Sequence, residues 1–104
     1  DKSESIKNVK FPMLSDKTGK ISQSYNSYKE DEGVSLRGTF IIDPDGILRA
    51  MEIHDNSIGR NAQELFRRLQ AAIFVRENKG QVCPASWTPG KETLKPGLDL
   101  VGKI

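Results

Sequence analysis

Four side chains stand out as able to do polar chemistry: Arg37, His54, Arg60 and Cys83. Cys83 is the only cysteine and His54 the only histidine of 104 residues. One thiol cannot close a disulfide within the chain. One histidine with one cysteine cannot complete a zinc site. Cys83 can be a small buried hydrophobe or a working thiol. Its surroundings, Pro84 behind it and Trp87 four residues on, belong to a proline-broken segment rather than a core element. Only Lys79 is near in sequence to favour the thiolate, and Pro84 prevents a helix from starting directly after it, so strong activation is not expected. The pattern suits a thiol that attacks an electrophilic sulfur, such as a sulfenic acid, to give a disulfide with a group from outside the chain.

Arg37 precedes Gly38 and a β-branched run. It reads either as a solvated strand-end charge or as a guanidinium aimed at an anion, with Gly38 allowing close backbone approach. Arg60, beside Gly59, has the same two readings, the structural one favoured. His54, next to Asp55, reads as a partly packed side chain. Gly33-x-x-x-x-Gly38 runs into Thr39-Phe40, not Lys-Ser/Thr, so no phosphate loop is present. There is no G-x-S-x-G elbow. Glu30, Asp31 and Glu32 form a charged loop, and Phe74 and Trp87 read as packing anchors.

These residues need elements to hold them. Val9–Leu14 reads as a short strand broken by Pro12. Ser15–Gly19 is a turn cluster, and Ile21, Tyr25 and Tyr28 suit one or two helical turns. Thr39–Ile42, Asp43-Pro44-Asp45-Gly46 and Ile47–Ile53 make a β-hairpin. Asn61 with Glu64 three residues later predicts a helix N-terminus. Leu65, Phe66, Leu69, Ala72, Ile73 and Arg76 then follow at helical spacing, with Gly80 as the stop. Pro84, Pro89 and Pro96 predict an extended tail. The division expected is residues 1–80, the second half of an α/β domain, and 81–104, an extended arm carrying Cys83.

Composition narrows the classes. The balance of 16 Lys+Arg against 14 Asp+Glu, net +2 and scattered, argues against an electrostatic nucleic-acid binder. The longest apolar run is the five residues Ala71–Val75, far short of the roughly 18 that a membrane span needs. With no basic-then-apolar leader, a cytoplasmic protein is expected. Apolar residues amount to 36%, thin for a self-sufficient small core. Together with Asp1 in place of Met, this predicts a trimmed C-terminal part of a larger domain.

Gln81-Val82-Cys83-Pro84-Ala85-Ser86-Trp87 resembles the resolving-cysteine motif of typical 2-Cys peroxiredoxins of the alkyl hydroperoxide reductase C type, usually Glu-Val-Cys-Pro-Ala-x-Trp. Arg37–Asp43 is similar to the family's Arg-Gly-x-Phe-Ile-Ile-Asp strand. Phe11–Asp16, Ile58-Gly59-Arg60 and the ending Leu98–Ile104 match flanking segments. Gln81 departs from the usual Glu. The family's peroxidatic Pro-x-x-x-Thr-x-x-Cys has no counterpart here.

The resemblance implies the C-terminal half of a thioredoxin-like α/β fold: strand, short helix, β-hairpin, long helix, proline-rich tail. It implies a thiol peroxidase acting on hydrogen peroxide and alkyl hydroperoxides without metal or organic cofactor. Arg37 would be the active-site arginine and Arg60 its support. Cys83 would be the resolving thiol, forming an intersubunit disulfide with a peroxidatic cysteine absent from these residues, so the 104-residue chain alone should be inactive. Expected partners are a second copy in a homodimer, with a decameric ring as the larger assembly, and an external dithiol reductant, thioredoxin or a flavoprotein reductase. Neither nucleic acid nor membrane is expected. The alternative is a non-catalytic interaction, oligomerisation or chaperone-like module whose cysteine is incidental.

Overall fold

The computed structural model describes residues 4–102. Asp1, at the polar start, and Lys103 and Ile104, in the ending matched above, lie outside the described residues. The chain divides into two units, Asp1–Ser35 and Leu36–Ile104.

The first unit holds α1 (Glu4–Lys7), α2 (Lys20–Ser24) and a hairpin of β1 (Tyr28–Lys29) and β2 (Val34–Ser35). Asp16 organises it: its carboxylate accepts from the Ile21 and Ser22 backbone N–H groups and from the Ser22 hydroxyl. Those bonds, the Ser22 N–H first, hold the carboxyl below its ordinary range. Gly19 has φ 72°, and a Cβ there would lie 2.7 Å from the Tyr28 ring, so only glycine fits. Two expectations are corrected here. Val9–Leu14 forms no strand, because its short apolar run pairs with no strand among the described residues and contains Pro12, which cannot donate to a ladder. Tyr28 leaves the helix and pairs with Ser35 instead, so the predicted charged loop is the turn of a small hairpin.

The second unit carries β3 (Arg37–Ile42), β4 (Leu48–His54) and α3 (Ala62–Glu77), and a short 3₁₀ turn at Leu98–Leu100. β3 and β4 are antiparallel, from Arg37 opposite His54 to Ile42 opposite Leu48. The turn forms as its residues dictate. Gly46 takes φ 78°, and the Asp43 carboxylate accepts from the Asp45 and Ile47 N–H groups. A register shift after Ile41 leaves Arg49 unpaired in the ladder, and its Nε donates to Asp43 at 2.7 Å. The Ile47 N–H, then Arg49, keep the Asp43 carboxyl below its ordinary range.

α3 starts as its sequence predicts, with the Asn61 side chain accepting from the Glu64 N–H. Arg76 near its end bonds Asp45 at 2.6 Å, tying the helix to the hairpin turn. The helix face that meets the hairpin is not the whole predicted apolar stripe. Leu65 and Ala72 are half-buried, but Phe66 (59% exposed), Leu69 (41%) and Ile73 (48%) are open to solvent. The outer hairpin face, with Ile42, Leu48 and Met51, is also exposed. Among the described residues, Trp87 is the one buried hydrophobic side chain, 2% exposed.

Candidate functional site

Cys83 lies in a loop closed by a backbone bridge. Val82 and Leu94 exchange backbone hydrogen bonds of 2.7 and 2.9 Å, closing the segment between them. Gln81 accepts from the Thr93 hydroxyl beside that bridge. Inside the loop, the Trp87 N–H donates to the Pro84 carbonyl, making a turn directly after Cys83. The indole Nε1–H donates to the Lys91 carbonyl at 3.1 Å. The indole ring packs on Phe74 of α3, centroids 5.0 Å apart, as the reading of both as packing anchors expects. The prolines do prevent regular helix, yet the segment folds back because Trp87 has an apolar partner and a satisfied N–H.

The thiol is half-buried and lines a cavity of about 410 Å³ with Arg49 and Ala50 of β4 and Arg68, Ala71, Ala72 and Val75 of α3. Burial pushes it above the ordinary thiol range, and the Arg67 guanidinium acts in the opposite direction. Sequence reading missed Arg67, which is sixteen positions away and comes near only through the tertiary fold. Arg67 grips Glu64 with two nitrogens, at 2.7 and 2.9 Å, and donates a third bond to the Trp87 carbonyl at 3.0 Å. Arg68 shares Glu64 and reaches Glu52 of β4 at 2.7 Å. The Arg67 hydrogen bond, helped by the Arg68 charge, holds the Glu64 carboxyl down to about 2.

Arg37 and Arg60 both bond groups at the other end of the hairpin. The Arg37 Nε–H donates to the Asn56 carbonyl at 2.9 Å. Arg60 Nη1 donates to the Gly38 carbonyl at 2.8 Å and to the Thr39 hydroxyl oxygen at 3.0 Å. Arg49, Arg67, Arg68 and Arg76 all pair with carboxylates. Arg37 and Arg60 are instead held through neutral oxygens and pair with no carboxylate among the described residues, so their charges remain available to an anion. His54 sits opposite Arg37. Its Nδ1–H donates to the Gly59 carbonyl at 3.1 Å, and Nε2 is 3.6 Å from Glu52. No hydrogen bond or ion pair joins Cys83 to Arg37 or Arg60 among the described residues. No group of three or more His, Cys, Asp or Glu there could hold a metal. No helix there is long and apolar enough to cross a membrane.

Two family models match the chain: the AhpC/TSA family over residues 1–51, and the C-terminal domain of 1-Cys peroxiredoxin over residues 73–102. Alkyl hydroperoxide reductase C of Escherichia coli (strain K12) is 46% identical over 102 residues, 98% of this chain and 54% of the relative. The protein of that name from Ferdinandcohnia aciditolerans is 49% identical over 104 residues, 100% of this chain and 62% of the relative. The chain thus spans little more than half the length of these curated relatives. The reduced 2-Cys peroxiredoxin of Plasmodium vivax superposes with a TM-score of 0.76 at 40% identity, covering 83% of this chain and 44% of that one. Enterococcus faecalis AhpC superposes with a TM-score of 0.74 at 41% identity, covering 80% and 50%. The fold is of the thioredoxin-like α/β type of these neighbours. The chain belongs to the AhpC/TSA family of peroxiredoxins.

Proposed function

We propose that this chain is part of a thiol peroxidase that reduces hydrogen peroxide and alkyl hydroperoxides. The observation that carries the reading is its 46% identity, over 98% of its length, to an alkyl hydroperoxide reductase C. Cys83 is the resolving thiol. A peroxidatic thiolate outside these 104 residues attacks the distal peroxide oxygen. The O–O bond breaks, the alcohol or water leaves, and a sulfenic acid remains. Cys83 then attacks that sulfur across a subunit interface; the S–S bond forms and water departs with the thiol proton. An external dithiol, thioredoxin or a flavoprotein reductase, restores both thiols by exchange. A thiol raised by burial suits this step, because the sulfenic acid is already electrophilic.

Arg37 is the active-site arginine and Arg60 its support. Their un-neutralised charges favour the peroxidatic thiolate and the negative charge that develops as the O–O bond breaks. The working unit is a homodimer, with a decameric ring as the larger assembly, in a reducing cytoplasm that keeps Cys83 free between turnovers. The exposed faces of α3 and of the hairpin support a fold whose remaining half covers them. Residues 1–80 would then be the second half of the thioredoxin-like domain and 81–104 the arm bearing the resolving thiol.

Peroxide consumption with dithiothreitol tests the reading. The full-length protein should consume peroxide steadily, and the 104-residue chain should show only the background of a free thiol. Sustained turnover by the 104 residues alone would place the attacking thiolate on Cys83 and sink the resolving role.

A further inference from the structure

The arginines around Cys83 all pair with carboxylates, and one of them also bonds the loop that carries the thiol. Arg49 on β4 is taken by Asp43, and Arg68 on α3 lies between Glu52 of β4 and Glu64. Lys79 approaches only along the sequence. Arg67 is different. It shares Glu64 with Arg68, and its remaining bond goes to a neutral acceptor, the Trp87 carbonyl. Trp87 closes the turn that begins just after Cys83. One guanidinium therefore fixes the loop of the thiol and also acts on the thiol electrostatically. Glu64, itself fixed by the Asn61 cap, works against that charge.

We propose that Arg67 is a positioning residue for Cys83: it pins the Cys83–Trp87 turn to α3 and supplies the positive charge that favours the thiolate, with Glu64 as the opposing charge. The place of this device in turnover rests on the reading of Cys83 as resolving thiol. The device itself acts on the thiol whatever that thiol later attacks, so the two can fail separately.

The test is the pH–rate profile of Cys83 in the 104-residue chain, its only thiol, toward an aromatic disulfide. The Cys83 thiolate attacks one reagent sulfur and a mixed disulfide forms. The reagent S–S bond breaks, the coloured aryl thiolate leaves with the electron pair, and the thiol proton goes to solvent. In R67Q the midpoint of the profile should rise by about 0.5 to 1 pH unit. The rate at neutral pH should fall about twofold to threefold, because a more basic thiolate is also more nucleophilic. R67K should keep a midpoint close to that of the original chain. E64Q should move it down, since it frees the Arg67 charge. A merely structural role predicts that R67Q and E64Q, both loosening the loop, move the midpoint the same way; that result, or no movement in either, overturns the proposal. The blue-shifted emission of buried Trp87 reports folding. Should R67Q lose it, E64Q decides alone, and a midpoint that does not fall overturns the proposal.

Discussion

Arginine does two jobs in this chain, and the difference lies in what each guanidinium is bonded to. Arg49, Arg67, Arg68 and Arg76 are neutralised by carboxylates and hold elements together. Arg37 and Arg60 are oriented by oxygens that carry no charge. In the full-length protein, Arg37→Ala should therefore lower kcat/KM for peroxide by about 10²–10³-fold, the usual loss when one oriented charge donor is removed. Arg60→Ala should cost less, and steady-state peroxide kinetics would measure both. Glu64 gives a pH signature. Its carboxyl, depressed from the ordinary 4.5 to about 2 chiefly by the Arg67 hydrogen bond, adds stability that is complete above about 4.5. That stability is lost as pH falls from there toward 2. Trp87 emission followed through an acid titration should show this loss, and E64Q should lack it.

At the scale of elements, what could be read from sequence was what is decided locally. Asp43-Pro44-Asp45-Gly46 forms its turn because the Asp43 carboxylate and Gly46 backbone satisfy it within five residues. Asn61 and Glu64 start α3 for the same reason. Val9–Leu14 misled because an apolar run forms a strand only with a partner to pair with, and none is in its sequence. The Tyr28–Ser35 hairpin was hidden by its charged turn. The Cys83 loop was half legible: Trp87 and Phe74 were recognisable anchors, but Arg67 beside the thiol depends on how the tail returns to α3. That return hangs on Trp87, which is 2% exposed. Trp87→Ala should cost about 3 to 5 kcal/mol. Hydrogen exchange is the sharper reading: the Val82 and Leu94 amides, which bridge the loop, should lose their protection.

For the whole molecule, the decisive fact is how little apolar surface these residues cover by themselves. Phe66, Leu69 and Ile73 form an exposed stripe on α3, and the relatives are nearly twice as long as this chain. If the remaining half of the fold covers that stripe, Ile73→Asp should change the stability of the 104-residue chain by no more than about 0.5 kcal/mol. In the full-length protein it should cost about 2 kcal/mol or more. Denaturant titrations of both would compare them. Under the proposed function the thiol of one chain serves a second copy, and the central claim rests there. The most direct measurement is non-reducing electrophoresis of the full-length protein after one equivalent of hydrogen peroxide, with and without Cys83→Ser. The account predicts a disulfide-linked dimer that dithiothreitol dissolves and that the Cys83→Ser protein does not form. A linked dimer that persists in Cys83→Ser would contradict it.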